Sequence, residues 1–196
     1  MKKFLTAILA AAMMFIATDA FAQLHVGFGY TNSAENFKLE NIKSTSNYNG
    51  FFLGGGFDMH LYKGLSIDPG FYYSFLTNGE KINFQEHMVE IPVDVKYSFD
   101  ILSVMKLFAY AGPTFQFQVA QKASAKEGGL EFESTKSPED FSKFDVLLGG
   151  GIGVDVLDMI RVNVGYRYGL VNLNKTDAKE AKIHRGQVLV GVSYIF

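Results

Sequence analysis

The sequence predicts an all-β fold, an eight-stranded antiparallel up-and-down β-barrel that crosses a membrane. Three observations carry this. Eight segments alternate between bulky apolar residues and small or polar ones with period two, the spacing of a strand with two unlike faces. The bulky face is almost free of charge, whereas the other is rich in Gly, Ser and Thr. The connections alternate between long polar stretches and short turns, the rhythm of a barrel with both termini on one side of the membrane.

The chain opens on Met1-Lys2-Lys3, continues in an apolar run from Phe4 to Ala17 and reaches Ala20-Phe21-Ala22 before Gln23. A basic start, an apolar stretch and a small-x-small site read as a secretory signal peptide over residues 1–22, cleaved after Ala22. The run is too short to span a bilayer comfortably as a helix. Residues 23–196 are then expected to form a single barrel domain. With a net charge of −2 the chain is too balanced to suggest a nucleic-acid partner, and with no cysteine it has no thiol chemistry or disulfide framework. Apolar residues make up 48% of the chain, yet no later stretch approaches a transmembrane helix. A chain of this kind enters a membrane only as a closed β structure, where every backbone group finds a partner in a neighbouring strand.

The strands are expected at 24–31, 50–60, 65–75, 86–99, 105–119, 144–156, 159–170 and 186–196. The first sets Leu24, Val26, Phe28 and Tyr30 against His25, Gly27 and Gly29, and the second sets Phe51, Leu53, Phe57 and Met59 against Phe52, Gly54, Gly56, Asp58 and His60. In the third, Ile67, Phe71 and Tyr73 oppose Asp68, Gly70 and Tyr72; in the fourth, Val89, Ile91, Val93, Val95 and Tyr97 oppose Glu90, Asp94 and Lys96. The fifth opposes Ala109, Ala111, Phe115 and Phe117 to Phe108, Tyr110, Gly112 and Gln116. The sixth opposes Val146, Leu148, Ile152 and Val154 to Asp145, Leu147, Gly149, Gly151, Gly153 and Asp155. The seventh opposes Ile160, Val162, Val164, Tyr166 and Tyr168 to Arg161, Asn163, Gly165 and Arg167. The last sets Val188, Val190, Val192, Tyr194 and Phe196 against Gln187, Leu189, Gly191 and Ser193. Segments 32–49, 76–85, 120–143 and 171–185 are read as polar loops, and 61–64, 100–104 and 157–158 as short turns.

A soluble barrel also alternates, but it points its apolar face inward and carries charge outside. Here the bulky face has aromatics near both strand ends. Tyr30, Tyr73, Phe75, Phe117, Tyr166 and Tyr168 lie toward the long loops, and Tyr97, Phe99, Tyr194 and Phe196 toward the turns. Paired aromatic girdles mark a lipid-facing wall.

The inner face carries Asp58, Asp68, Glu90, Asp94, Asp145 and Asp155, with Lys96, Arg161 and Arg167, and with His25 and His60. Buried charges are costly unless paired, and eight strands enclose little more than their own side chains. A structural lumen network of Asp58, Asp68, Glu90, Asp94, Lys96, Asp155, Arg161 and Arg167 is therefore expected, with Arg161 meeting Asp155 or another low-lying acid and Arg167 meeting acids higher up. A translocation path or active site is the alternative reading of the same charges. Asp58 beside His60 offers a base and its orienter, but no nucleophile accompanies them, so no catalytic residue is assigned. Four scattered histidines have no metal-ligand spacing, and Gly149-Gly150-Gly151-Ile152-Gly153 does not continue as a phosphate-binding loop. No metal and no cofactor is expected.

The C-terminal strand ends in Tyr194-Ile195-Phe196, which resembles the signal that barrel-assembly machinery reads during outer-membrane biogenesis. Glu90-Ile91-Pro92-Val93 with Lys96-Tyr97, Tyr110-Ala111-Gly112-Pro113 and Tyr166-Arg167-Tyr168-Gly169-Leu170 resemble segments of the outer-membrane β-barrel family common in Bacteroidetes, which includes PorT-like proteins and shares the small OmpX/OmpA-type architecture. The resemblance implies a Gram-negative outer-membrane location and carries over no functional residues. The expected role is structural, or interactive through the long loops, and not enzymatic. The expected partners are outer-membrane lipid, the assembly machinery, and an unidentified extracellular ligand or envelope protein. A small-solute channel, an outer-membrane enzyme and a secretion accessory are the alternatives.

Overall fold

In the computed structural model the barrel is built as that alternation requires, and the structure describes residues 22–39, 42–78, 82–127, 130–134, 143–171 and 181–196. The expected signal peptide thus lies outside the described residues except for Ala22, which opens the first strand. The strands are β1 (Ala22–Leu39), β2 (Ile42–Tyr62), β3 (Leu65–Thr77), β4 (Ile82–Leu102), β5 (Met105–Glu127), β6 (Leu130–Ser134), β7 (Phe144–Val156), β8 (Ile160–Gly169) and β9 (Ala181–Ile195). Each pairs antiparallel with its neighbours in the sequence, except that β7 joins β5 and the short β6 lies against the far end of β5. Pairing of β1 with β9, from His25↔Ile195 to Leu39↔Ala181, closes eight strands into a barrel. Closure removes every edge at membrane depth, so all ladder groups are satisfied within the wall.

The bulky face points outward. Phe28, Phe51, Leu53, Ile152 and Phe196 are all more than 60% exposed, which only a lipid environment makes favourable. Along β8 and the residue that follows it, this face runs from Ile160 to Leu170. Ten residue steps at about 3.4 Å each, tilted about 40°, give a band roughly 26 Å tall, close to the ~25 Å apolar belt of outer-membrane barrels.

The strands are longer than expected. Segments 32–39, 42–49, 82–85 and 120–127, read above as loops, continue as strand, and 130–134 adds a hairpin partner to β5. Residues 32–49 pair from Asn32↔Asn49 to Leu39↔Ile42. Above the lipid belt both faces of a strand meet water, so the apolar alternation stops while backbone pairing goes on. At the other end the turns are tight. Lys63 and Gly64 both have positive φ (31° and 84°), the geometry of a two-residue hairpin turn whose twist matches its strands.

Inward-facing glycines are matched to inward-facing rings. A Cβ on Gly29 would lie 2.4 Å from the Phe52 ring, one on Gly153 2.3 Å from the Phe108 ring, and one on Gly165 2.3 Å from the Tyr110 hydroxyl. The glycines of β1, β7 and β8 leave the room that aromatics of β2 and β5 fill, as the narrow lumen of an eight-stranded barrel demands.

Candidate functional site

The described polar chemistry is concentrated in the lumen, where it forms layers. The lowest is centred on Arg161, the second residue of β8, directly opposite Asp155 of β7 in the ladder. Its Nε and Nη2 donate to the two carboxylate oxygens of Asp155 at 2.8 and 3.0 Å. The same guanidinium reaches across the barrel to Asp58 Oδ2 at 2.6 Å and to Asp68 Oδ2 at 3.3 Å. Lys96 Nζ donates to Asp58 at 2.5 Å, and His25 Nε2 lies 2.9 Å from Asp68 Oδ1. The Phe108 ring lies beside both cations, 5.1 Å from Lys96 Nζ and 5.0 Å from the Arg161 guanidinium carbon. A planar fork suits this position because it can serve several carboxylates at once.

Higher up, Arg167 donates to Asp94 Oδ2 at 2.9 Å. Above it Glu90 is held by neutral donors. Ser74 Oγ, Gln187 Nε2 and Gln116 Nε2 donate to its Oε1 at 2.7, 3.1 and 3.3 Å, and Gln187 also donates to Thr31. Glu90 therefore sits in the network as an acceptor among amides and a hydroxyl, its burial offset by several donors rather than by one cation. Leu147, Gln187, Thr31 and Thr114 are almost fully buried at this height.

The topmost layer was not among the residues that the sequence singled out. Arg185 of β9 donates to Glu35 of β1, to Glu86 Oε2 of β4 at 3.0 Å and to Gln116 Oε1 at 3.1 Å. Tyr48, Leu76 and Met88 pack beside it as a buried apolar cluster. Asp145, expected in the lumen, is buried and accepts the Val171 N–H at 3.2 Å.

The structure brings Asp58, Asp68, Lys96, Asp155 and Arg161 into one cluster and Asp94 and Arg167 into another. It does not bring Asp58 and His60 together. His60, paired with lumen-facing Ser66 near the end of β2, is exposed at the mouth of the lumen, while Asp58 stays buried with Lys96 and Arg161. His184, read as a loop residue, lies on β9 and stacks on Tyr168, with ring centroids 5.6 Å apart. His87 faces outward at the opposite rim and hydrogen-bonds Tyr73. Tyr194 and Phe196 lie outside on the lipid face at the end of β9, edge to face at 4.9 Å. At the short turns, beyond the apolar belt, Lys106 donates to Asp158 at 2.6 Å, and that bond raises its amine above the ordinary value. Among the described residues no group of three His, Asp or Glu side chains is arranged to hold a metal ion.

The described acids and bases of the lowest layer bind one another. Residues 4–196 match the outer membrane protein beta-barrel domain family. No curated protein matches the sequence. Among solved structures, Neisserial surface protein A aligns over 89% of this chain and 99% of its own at 18% identity, with a TM-score of 0.50. The attachment invasion locus protein Ail of Yersinia pestis, solved with the heparin analogue sucrose octasulfate, aligns over 90% and 99% at 15% identity, with a TM-score of 0.49. The outer membrane enzyme PagL aligns over 83% and 97% at 11% identity, with a TM-score of 0.48. At 18% identity the likeness to the Neisserial protein is one of fold. The chain belongs to the outer membrane protein β-barrel domain family, and its closed eight-stranded barrel is of the small outer-membrane type.

Proposed function

We propose that this barrel acts at the cell surface, as a structural or surface-interaction protein with a lumen sealed by its own side chains, and not as an enzyme. The carrying observation is the run of strand beyond the lipid belt. β1 and β2 stay paired through Leu39↔Ile42, well past the Tyr30–Phe51 level of the outer girdle, and β4 and β5 do the same through Ile82↔Ala125. Such extensions carry a rigid surface outward, where a ligand or envelope protein can be met. The buried layers of Arg161, Glu90 and Arg185 support the sealed lumen, since a solute path through them would have to break ion pairs in the first and last and buried hydrogen bonds in the second. The export signal with cleavage after Ala22, and the closer affinity with PorT-like proteins of Bacteroidetes, belong to this reading. They rest on Ala20-Phe21-Ala22 and on the segments around Glu90, Tyr110 and Tyr166. Tyr194 and Phe196 serve the assembly machinery in the same reading.

The chain has no cysteine, so single substitutions give a clean test of orientation. In intact cells a membrane-impermeant maleimide should label Asn47→Cys, on the extended part of β2, and leave Asp100→Cys at the opposite rim unlabelled. Labelling of Asp100→Cys alone would reverse the orientation and remove the surface role.

A further inference from the structure

The wall has no free edge, but its pairing is uneven. The β1–β2, β1–β9, β5–β7, β7–β8 and β8–β9 ladders run without a gap. The three remaining ladders of the closed wall are each interrupted near the middle of the membrane. The β2–β3 ladder skips from Gly56↔Gly70 to Met59↔Ile67, the β3–β4 ladder from Tyr72↔Glu90 to Pro69↔Val93, and the β4–β5 ladder from Pro92↔Thr114 to Val95↔Ala111. One proline falls in each gap, Pro69, Pro92 and Pro113 in turn, and the whole chain has only 4 prolines. Proline brings no N–H to a ladder and is rare inside a sheet. Prolines in three neighbouring strands make a seam of weakened pairing from β2 to β5.

The seam lies at mid-depth. On β4, Pro92 stands midway between Tyr97 of one girdle and His87 of the opposite rim. About five steps of roughly 3.4 Å, tilted about 40°, put it roughly 13 Å from each. The β3–β4 gap joins the two sides of the wall. Its register continues as Gly70 opposite Pro92 and Phe71 opposite Ile91. Gly70 and Pro92 line a lumen cavity of about 70 Å³. Phe71 faces the bilayer and is 48% exposed. Only these two unladdered pairs separate hydrocarbon from the cavity, and Gly70 contributes no side chain to the barrier.

The cavity's charges are engaged with one another, Arg167 with Asp94 at 2.9 Å and Arg161 with Asp68 at 3.3 Å. Its partly accessible polar side chains are uncharged, namely Tyr72, Tyr110 and Asn163. Phenols and an amide both donate and accept hydrogen bonds, so they hold a neutral polar group. A charged group would also have to cross hydrocarbon to arrive there, which is costly. With the axis closed by the Arg161 and Glu90 layers, as proposed above, the way in is sideways. A molecule that travels through the bilayer to this depth carries an apolar tail.

We infer that the β3–β4 seam is a side entrance from the bilayer, and that the cavity behind it binds the neutral hydroxyl or amide head of a small amphiphile whose tail stays in the membrane against Phe71 and Ile91. The site rests on the sealed-lumen reading, and the two fail differently.

The probe is a dodecanol analogue with a diazirine beside its hydroxyl, added to the full-length protein in phosphatidylcholine vesicles and activated by light. Label is expected on Tyr72, Tyr110 or Asn163, and excess dodecanol should suppress it. Phe71→Cys with Ile91→Cys sets two thiols opposite each other across the seam, in a chain that has no other cysteine. Cavity labelling of the reduced double variant should be lost when the disulfide is formed in the membrane and return on reduction. Label confined to lipid-facing residues in the wild type refutes the site and leaves the sealed lumen standing. Cavity labelling that survives the disulfide refutes the side entrance and reveals an axial route, so the sealed lumen falls with it. Should the double variant fail to fold, amide hydrogen exchange of the wild type decides. Gly70 and Val93, in the gaps, should exchange faster than Val164 and Val190 of the unbroken β8–β9 ladder, and equal protection overturns the seam.

Discussion

Arg161→Ala should be the most damaging single truncation in the lumen. Arg161 is 4% exposed and serves Asp155 through two bonds, Asp58 through one and Asp68 through one. Its loss leaves Asp58 with Lys96, Asp68 with His25 and Asp155 with only a distant Lys96 at 3.9 Å. Breaking a buried pair by removing one partner typically costs about 3–5 kcal/mol, most of it from the charge left behind. With two well-made carboxylate bonds to Asp155 alone, the upper part of that range is expected. Guanidinium unfolding of protein inserted in lipid vesicles measures it, with Lys126→Ala, beyond the barrel belt, as the reference near zero. The origin of the cost can be separated by restoring the charge balance. Asp155→Asn combined with Arg161→Ala should recover a large share of the loss, because the stranded carboxylate is then neutral. A cost below about 1 kcal/mol for Arg161→Ala would mean that the guanidinium is solvated rather than sealed in the lumen.

Four further outcomes follow from the same structure. Arg167→Ala, which breaks one bond to Asp94, should destabilise less than Arg161→Ala in the same unfolding assay. Arg185→Ala should loosen the outer end alone, raising amide hydrogen exchange in β1 and β9 beyond Thr31 while leaving the Arg161 layer protected. Gly64→Ala should cost about 1–3 kcal/mol, because φ is +84° there and a Cβ would lie 2.2 Å from the Ser98 carbonyl oxygen; unchanged stability would show that the turn adopts another geometry. Deletion of Phe196 should lower the yield of outer-membrane protein at native expression and leave periplasmic degradation products, and an unchanged yield counts against an assembly role.

The sequence carried the barrel wall well and its outer end poorly, for one physical reason. Within the lipid belt each strand faces oil on one side and a crowded lumen on the other, so Ile160 to Tyr168 or Val188 to Phe196 can only alternate. Above the belt the outer face meets water and the contrast fades. The extensions of β1, β2, β4, β5 and β9 therefore read as loops in the sequence and take Glu35 and Arg185 with them, while Glu86 sits at the very start of the fourth expected strand, where the contrast has already faded. A signal was present. Glu35 continues the inward parity of His25, Gly29 and Thr31, Glu86 that of Glu90 and Asp94, and Arg185 that of Gln187 and Leu189. Following inward parity past the last apolar residue would have found the upper cluster. His60 keeps the inward parity opposite buried Ser66, but it lies so near the strand end that its side chain meets solvent at the mouth of the lumen. The partners of Glu90 were unreadable for a different reason, since Ser74, Gln116 and Gln187 come from three other strands and only the closed barrel brings them within reach.

Sealing of the lumen by its own side chains is open to planar-bilayer recording of the reconstituted wild-type protein. A sealed lumen gives no steady single-channel current at any applied voltage that leaves the bilayer intact. A stable, reproducible conductance, scaling with salt and altered by Arg161→Ala, would contradict it and establish a solute path through the Arg161, Glu90 and Arg185 layers.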